Sequence, residues 1–224
     1  MISYSQIGQD LDVLKLYSNK SSGTFIEIGA SDGKNLSNTY LLEQLGWKGV
    51  CVEPIPEKFE LLQKNRTAIN FNKAAYNVSG KQIEFTVAES SLLSGITHEF
   101  DAHKPQKDTS RQILVETITL NDLIHQSGLP SFIDYLSLDT EGSEYEILKV
   151  FDFSKYTFGT IHVEHNNIKP KRQNIRSLLM SHGYNFLQEN KWDDYYVHKS
   201  LIAPVYTKVN LNKFFWSKKF SRIN

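Results

Sequence analysis

From residue 24 to about 180 short apolar runs alternate with stretches that have apolar residues at helical spacing. "TFIEIGA" (24–30), "KGVCVEP" (48–54), "INFNKAAY" (69–76), "KQIEFTVAE" (81–89), "ILVETITL" (113–120), "FIDYLSLD" (132–139) and "FGTIHVEHN" (158–166) read as strands. "DLDVLKLY" (10–17), "NTYLLEQLGW" (38–47), "PEKFELLQKNR" (56–66), "NDLIHQSG" (121–128), "EYEILKVF" (144–151) and "KRQNIRSLLMSHGY" (171–184) read as helices. This alternation predicts an α/β fold, a doubly wound sheet with helices on both faces. "NFLQENKWDDYYVHK" (185–199) has the shape of a closing hairpin, and the polar run 97–112 that of a long loop able to act as a lid. In such sheets ligands sit at the carboxyl ends of the strands. The residues to read for chemistry are therefore 27–33, 53–54, 74–75, 139–144 and 164–166.

The first strand runs into Glu27-Ile28-Gly29-Ala30-Ser31-Asp32-Gly33. A dinucleotide turn needs G-x-G-x-x-G so that a pyrophosphate can approach the next helix. Here Ser31 replaces the middle glycine, and Glu27 and Asp32 would repel a pyrophosphate. They suit a ligand with positive charge and no phosphate. S-adenosylmethionine, with its ammonium and sulfonium, is such a ligand, and Glu27 is expected to face its methionine end. Glu53 closes the second strand, where an acid can accept from both ribose hydroxyls. Ala74 and Ala75 would leave room for a flat adenine edge.

"DYLSLDTEGSEYEIL" (134–148) places Asp139, Glu141 and Glu144 at a strand end and helix start, and the next strand ends in Glu164-His165-Asn166. Oxygen and imidazole donors from neighbouring strand ends suit a hard divalent ion such as magnesium. His165 and Glu141 are candidate general bases. Helix capping is the competing reading for Asp139 and Glu144. His162, inside its strand, reads as a core histidine.

Composition narrows the function classes. Lys+Arg and Asp+Glu are both 25 among 224 residues, so no broadly basic surface for nucleic acid is expected. The single cysteine, Cys51, lies in an apolar run and reads as a buried thiol. The first residues lack a signal-peptide pattern, and no apolar run nears the ~20 residues of a membrane span, so a cytoplasmic setting is the default expectation. The length fits one domain, 1–198, with 199–224 as a basic, aromatic tail. That tail suits a docked terminal helix, with membrane or partner contact as the alternative.

"SQIGQD" (5–10), "FIEIGASDGKNLSNTYLLE" (25–43), "GWKGVCVEPIPEKFELLQKNR" (46–66), "SSLLSG" (90–95), "ETITLNDLI" (116–124), "DYLSLDTEGSEYEIL" and "VEHN" (163–166) together resemble the FkbM-type class I methyltransferases. The resemblance covers roughly residues 4–198. It implies a Rossmann-like seven-stranded sheet, S-adenosyl-L-methionine as cofactor and O-methylation of a hydroxyl, often on a sugar or glycan. Its cofactor site would comprise Gln9, Glu27, Gly29, Ala30, Ser31, Asp32, Gly33, Asn38, Glu53, Pro54, Ala74, Ala75 and Asp139. By similarity to magnesium-dependent sugar enzymes of related fold, Asp139 and Glu164 would hold Mg2+, with His165 or Asn166 completing the set. Glu141 falls where some of those relatives place a catalytic acid. A protein or lipid-linked acceptor, a non-catalytic module of the same fold, and a nicotinamide oxidoreductase are the competing readings.

Overall fold

The computed structural model describes residues 1–88, 93–99 and 110–202. Its element order is α1 (Gln9–Leu16), β1 (Thr24–Ile28), α2 (Tyr40–Gln44), β2 (Lys48–Val52), α3 (Pro56–Asn65), β3 (Ile69–Phe71), β4 (Ala74–Ala75), β5 (Gln82–Ala88), β6 (Gly95–Ile96), β7 (Ser110–Ile118), α4 (Leu120–Ser127), β8 (Phe132–Leu138), α5 (Glu144–Lys149), β9 (Thr157–Glu164), α6 (Lys169–Ser181), β10 (Tyr184–Asn190), β11 (Asp193–His198) and α7 (Lys199–Ile202). Seven strands form the main sheet in the order β10-β11-β9-β8-β1-β2-β3. All run parallel except β11, which lies antiparallel between β9 and β10. The order turns back between β1 and β8, the place where a doubly wound sheet opens a crevice.

Period-two alternation sorts the side chains of β1 to two cores. Ile26 and Ile28 join Val50, Val52, Leu136, Leu138 and Ile161 on one face. Phe25 joins Cys51, Tyr135, Trp47 and the apolar stripe of α1, Val13 and Leu14, on the other. Glu27 falls on this second face, in the middle of an apolar layer. Burying a lone carboxylate there would be costly. Arg66, the residue that ends α3, reaches in to meet it.

The sheet differs from the sequence reading in one region. The expected single strand 69–76 is two: β3 ends the main sheet, while β4 pairs with β7 in a separate sheet of order β4-β7-β5-β6. Asn72 breaks the run, donating through Nδ2 to the Glu53 carbonyl at 2.8 Å. The second sheet has its own core of Ile55, Phe85, Val87, Ile96 and Val115, and it walls one side of the crevice. Of the loop expected at 97–112, residues 110–112 belong to β7 and 97–99 to a turn, while 100–109, on which the lid expectation rests, lie outside the described residues. The tail begins as α7, with Leu201 packed on the second core, and 203–224 lie outside the described residues. No helix among the described residues is long and apolar enough to cross a membrane.

Candidate active site

A continuous cleft crosses the carboxyl ends of β1, β2, β8 and β9. Its narrower part, about 630 Å3 with its open mouth, is lined by Glu53, Pro54, Ala74, Ala75, Phe85 and Ile96 among others. Its wider part, about 1180 Å3 with its open mouth, is lined by Gln9, Asn38, Ser137, Glu164, Asn166 and Trp192 among others. Gly29, Ser31, Asp139 and Glu141 border both. Gly29 has φ +83, and a Cβ there would lie 2.1 Å from the Asp139 carbonyl oxygen, so only glycine lets the turn pass this close to β8. Four non-glycine residues of the cleft also hold positive φ: Ser31 at 49°, Leu36 at 62°, Glu141 at 56° and Asn166 at 44°. Such conformations persist where the surroundings over-determine them, and they gather at functional sites.

The narrow part is organised by Glu53. Its two carboxylate oxygens accept from the Ser31 N–H at 2.8 Å and the Ile55 N–H at 2.9 Å. Burial pushes its pKa up to about 7, against the lowering effect of those two bonds. Each oxygen keeps a lone pair for a further donor. With Ala74–Ala75 on one side and Phe85 and Ile96 on the other, the slot suits a flat, nucleoside-sized group.

Glu27 borders the wider part, but its carboxylate is held from behind. It accepts from the Ser37 and Thr39 hydroxyls at 2.9 and 2.6 Å, the Asn38 N–H at 2.6 Å and Arg66 Nη1 at 3.1 Å. Arg66 also donates to the Gly33 carbonyl and to Thr39, and pairs with Glu43. Arg66 and Glu27 thus tie the turn 29–33 to the loop 37–39. Asn38, positioned by this network, donates to Ser137 at 2.8 Å and leaves Oδ1 buried beside the cleft with no partner among the described residues. Asp32 does not line the cleft among the described residues; it caps the Lys34 and Asn35 N–H groups.

At the far end, carboxylate oxygens of Asp139, Glu141 and Glu164 lie within 4.8 Å of one another. Burial and the neighbouring acids raise the pKa of both Asp139 and Glu164, which share a hydrogen bond. An oxygen-only set of this kind fits a hard divalent cation, which would relieve the mutual repulsion. Asn166 meets Glu141 and Glu164 through Nδ2, at 3.2 and 2.9 Å, so it orients the carboxylates as a donor. Glu144 is not in the cluster; it accepts from the Thr140 and Gly142 N–H groups and closes the turn before α5.

His165 departs from the expectation that it joins this cluster. The backbone leaves β9 at Glu164, and the ring turns to the opposite side. There its Nδ1 accepts from the Asn167 N–H at 3.0 Å and its Nε2 lies 3.6 Å from Asp194. It is 1% exposed and lines neither part of the cleft among the described residues. His162 is the core histidine expected, stacked on Tyr195 at 3.5 Å. Two contacts missed in the sequence reading join distant segments beside the acids. Gln9 Nε2 donates to Asp193 at 3.0 Å, and Asn190 Nδ2 donates to the Ile7 carbonyl at 3.2 Å. Asp193 pairs in register with Glu164. No periodicity links residues 7–9 to 190–193; only the insertion of β11 between β9 and β10 does.

The sequence profile of the Methyltransferase FkbM domain matches residues 27–186. No curated protein matches the sequence significantly. Among solved structures, a candidate RNA methyltransferase from Pyrococcus horikoshii aligns with TM-score 0.44 and 11% identity, covering 86% of this chain and 82% of that one. Precorrin-6y C5,15-methyltransferase from Geobacter metallireducens aligns with TM-score 0.42 and 13% identity, covering 84% and 83%. The profile match takes in Glu27, Glu53, Asp139, Glu141 and Glu164, the acids that frame the cleft, and the chain belongs to the FkbM methyltransferase family.

Proposed function

We propose that the protein transfers a methyl group from S-adenosylmethionine to a hydroxyl of a sugar or glycan. The observation that carries this reading is the two-ended cleft: a nucleoside slot closed by Glu53, and an acid cluster closed by Glu164, with Asn38 Oδ1, unpartnered among the described residues, beside the wide part. Glu53 would accept from the ribose hydroxyls. Asn38 Oδ1 offers an acceptor to the cofactor's ammonium. No lining residue of the narrow slot supplies a cation for a pyrophosphate among those described, which supports this cofactor over a dinucleotide.

In the reaction the acceptor oxygen forms a bond to the methyl carbon as the carbon–sulfur bond breaks, leaving a neutral thioether and placing the hydroxyl proton on a base. Glu141 is the base we assign, since it borders both parts of the cleft. Holding the two reactants in line supplies much of the acceleration. Asp139 and Glu164 would hold Mg2+, which when bound polarises an acceptor hydroxyl as a Lewis acid. The test is incubation with labelled S-adenosylmethionine and a panel of methyl glycosides and nucleotide sugars, with magnesium or with EDTA. Methyl transfer to a glycoside supports the reading, and a loss of that transfer in EDTA supports the ion. Transfer only to peptide or lipid acceptors overturns the sugar assignment.

A further inference from the structure

We infer that Trp192 and Gln6 form the acceptor subsite, a platform and rim for one pyranose ring. This rests on the sugar-hydroxyl reading above. The narrow slot and the acid cluster lie within residues 27–186, which the family profile covers. Gln6 and Trp192 lie outside that span, yet both border the wide part of the cleft together with Glu141 and Glu164. The two segments are fastened to each other by the Gln9–Asp193 and Asn190–Ile7 hydrogen bonds. The acceptor end is therefore framed by two segments that flank the matched span, 27–186, and meet only through the fold.

Trp192 sits at the tip of the β10–β11 hairpin, half-buried. Its carbonyl accepts from the His165 N–H at 2.8 Å, which fixes the backbone without using the indole. Lys191, at φ +58, makes the tip turn and places Nζ 5.1 Å from the ring centroid. The indole N–H and the Gln6 amide have no hydrogen-bond partner among the described residues. An aromatic face beside neutral amides and carboxylates matches a pyranose: its C–H face stacks on a ring, and its hydroxyls bond to amide and acid. Tyr195 and Tyr196, on β11 of the same hairpin, are 1% and 0% exposed and cannot serve as platforms. Lys191 brings a cation to the indole, so a free glycoside and a nucleotide-linked sugar share the ring chemistry and differ in whether they engage it.

The experiment compares Trp192→Ala, Trp192→Phe, Gln6→Ala and Lys191→Ala with the unchanged protein. The readouts are acceptor KM and kcat with the best methyl glycoside and the best nucleotide sugar of the panel, and S-adenosylhomocysteine affinity by calorimetry. Trp192→Ala is expected to raise acceptor KM tenfold or more, with cofactor affinity unchanged and most of the loss restored by Trp192→Phe. Gln6→Ala should raise KM about threefold. A Lys191→Ala effect confined to the nucleotide sugar identifies that source. Unchanged acceptor KM in Trp192→Ala, with the unchanged protein active on sugars, overturns this inference alone. Absence of any sugar turnover by the unchanged protein, with cofactor bound, overturns the sugar reading and this inference with it.

Discussion

At its Glu53 end the cleft is held by backbone. The Ser31 and Ile55 amides fix the carboxylate, the Gly29 turn lies against the Asp139 carbonyl, and the apolar walls come from a small separate sheet. At its Glu164 end the cleft is held by side chains. Three acids crowd together, one amide orients them, and Gln9 and Asp193 close the edge from positions 184 residues apart. The difference separates two tasks. A slot for one constant ligand gains from rigid backbone geometry, since every contact is reused at each turnover. A site for chemistry and a variable partner gains from replaceable side chains on connecting segments.

Substitutions at the two ends should therefore fail in different ways. The largest effect is expected from Glu164→Gln, which keeps shape but removes charge. Turnover should fall about 10³-fold while S-adenosylhomocysteine affinity stays within about threefold, measured by steady-state kinetics and calorimetry. Comparable losses in both would merge the two ends into one unit. Next is Arg66→Met. It leaves Glu27 and Glu43 buried without their cation, which costs about 3–5 kcal/mol and about 10 °C in melting temperature. Cofactor affinity should fall too, because the loop 37–39 loses its tie to the turn. A melting curve like that of the unchanged protein would show that the network does not hold the slot.

Glu53 gives a pH test with a definite sign. Its folded pKa, about 7, lies above its ordinary value. Below that ordinary value the folded and unfolded states are both protonated. Between it and pH 7 only the folded state keeps the proton, so ligand-free stability falls as pH rises through this window, by about 3 kcal/mol in all. Glu53→Gln should remove that fall, as chemical denaturation at pH 5 and pH 8 would show. Ribose hydroxyls need the ionised acid, so cofactor affinity should drop as pH falls below 7, approaching tenfold per unit. A flat affinity profile would place the ribose elsewhere. The smallest effect is expected from Arg111→Ala, whose pair with Glu57 is more than half exposed on both sides: below about 1 kcal/mol, with kinetics unchanged.

Most of the main sheet was legible because its strands and helices carry strong local signals. Helix α4, for instance, has Thr119 accepting from the Asp122 N–H at its start and Gly128 at φ +66 at its end. The separate sheet was less legible, since the two alanines of β4 carry no period, and their pairing with β7 is decided 43 residues downstream. Within the site, Glu53 stands at the cleft, where the end of the second strand was expected to place it. Glu27 was recognised as anomalous, but its partner Arg66 reads as an ordinary helix-terminal arginine until the fold brings it 3.1 Å away. His165 misled for the opposite reason. One residue along a strand reverses the side to which a side chain points, and local sequence does not mark where β9 ends.

The position of β11 bears on how the protein is made. It is the last strand of the main sheet to be synthesised, yet it lies inside β10, next to β9. Chains emerge from the ribosome N-terminus first and fold as segments become available. The turn 29–33, Glu53, the second sheet and the slot wall at 139–143 all precede α5, whereas Gln9 has no Asp193 to hold until the hairpin is complete. A ribosome-bound intermediate would then carry a slot for the methyl donor before it carries a finished place for anything to be methylated.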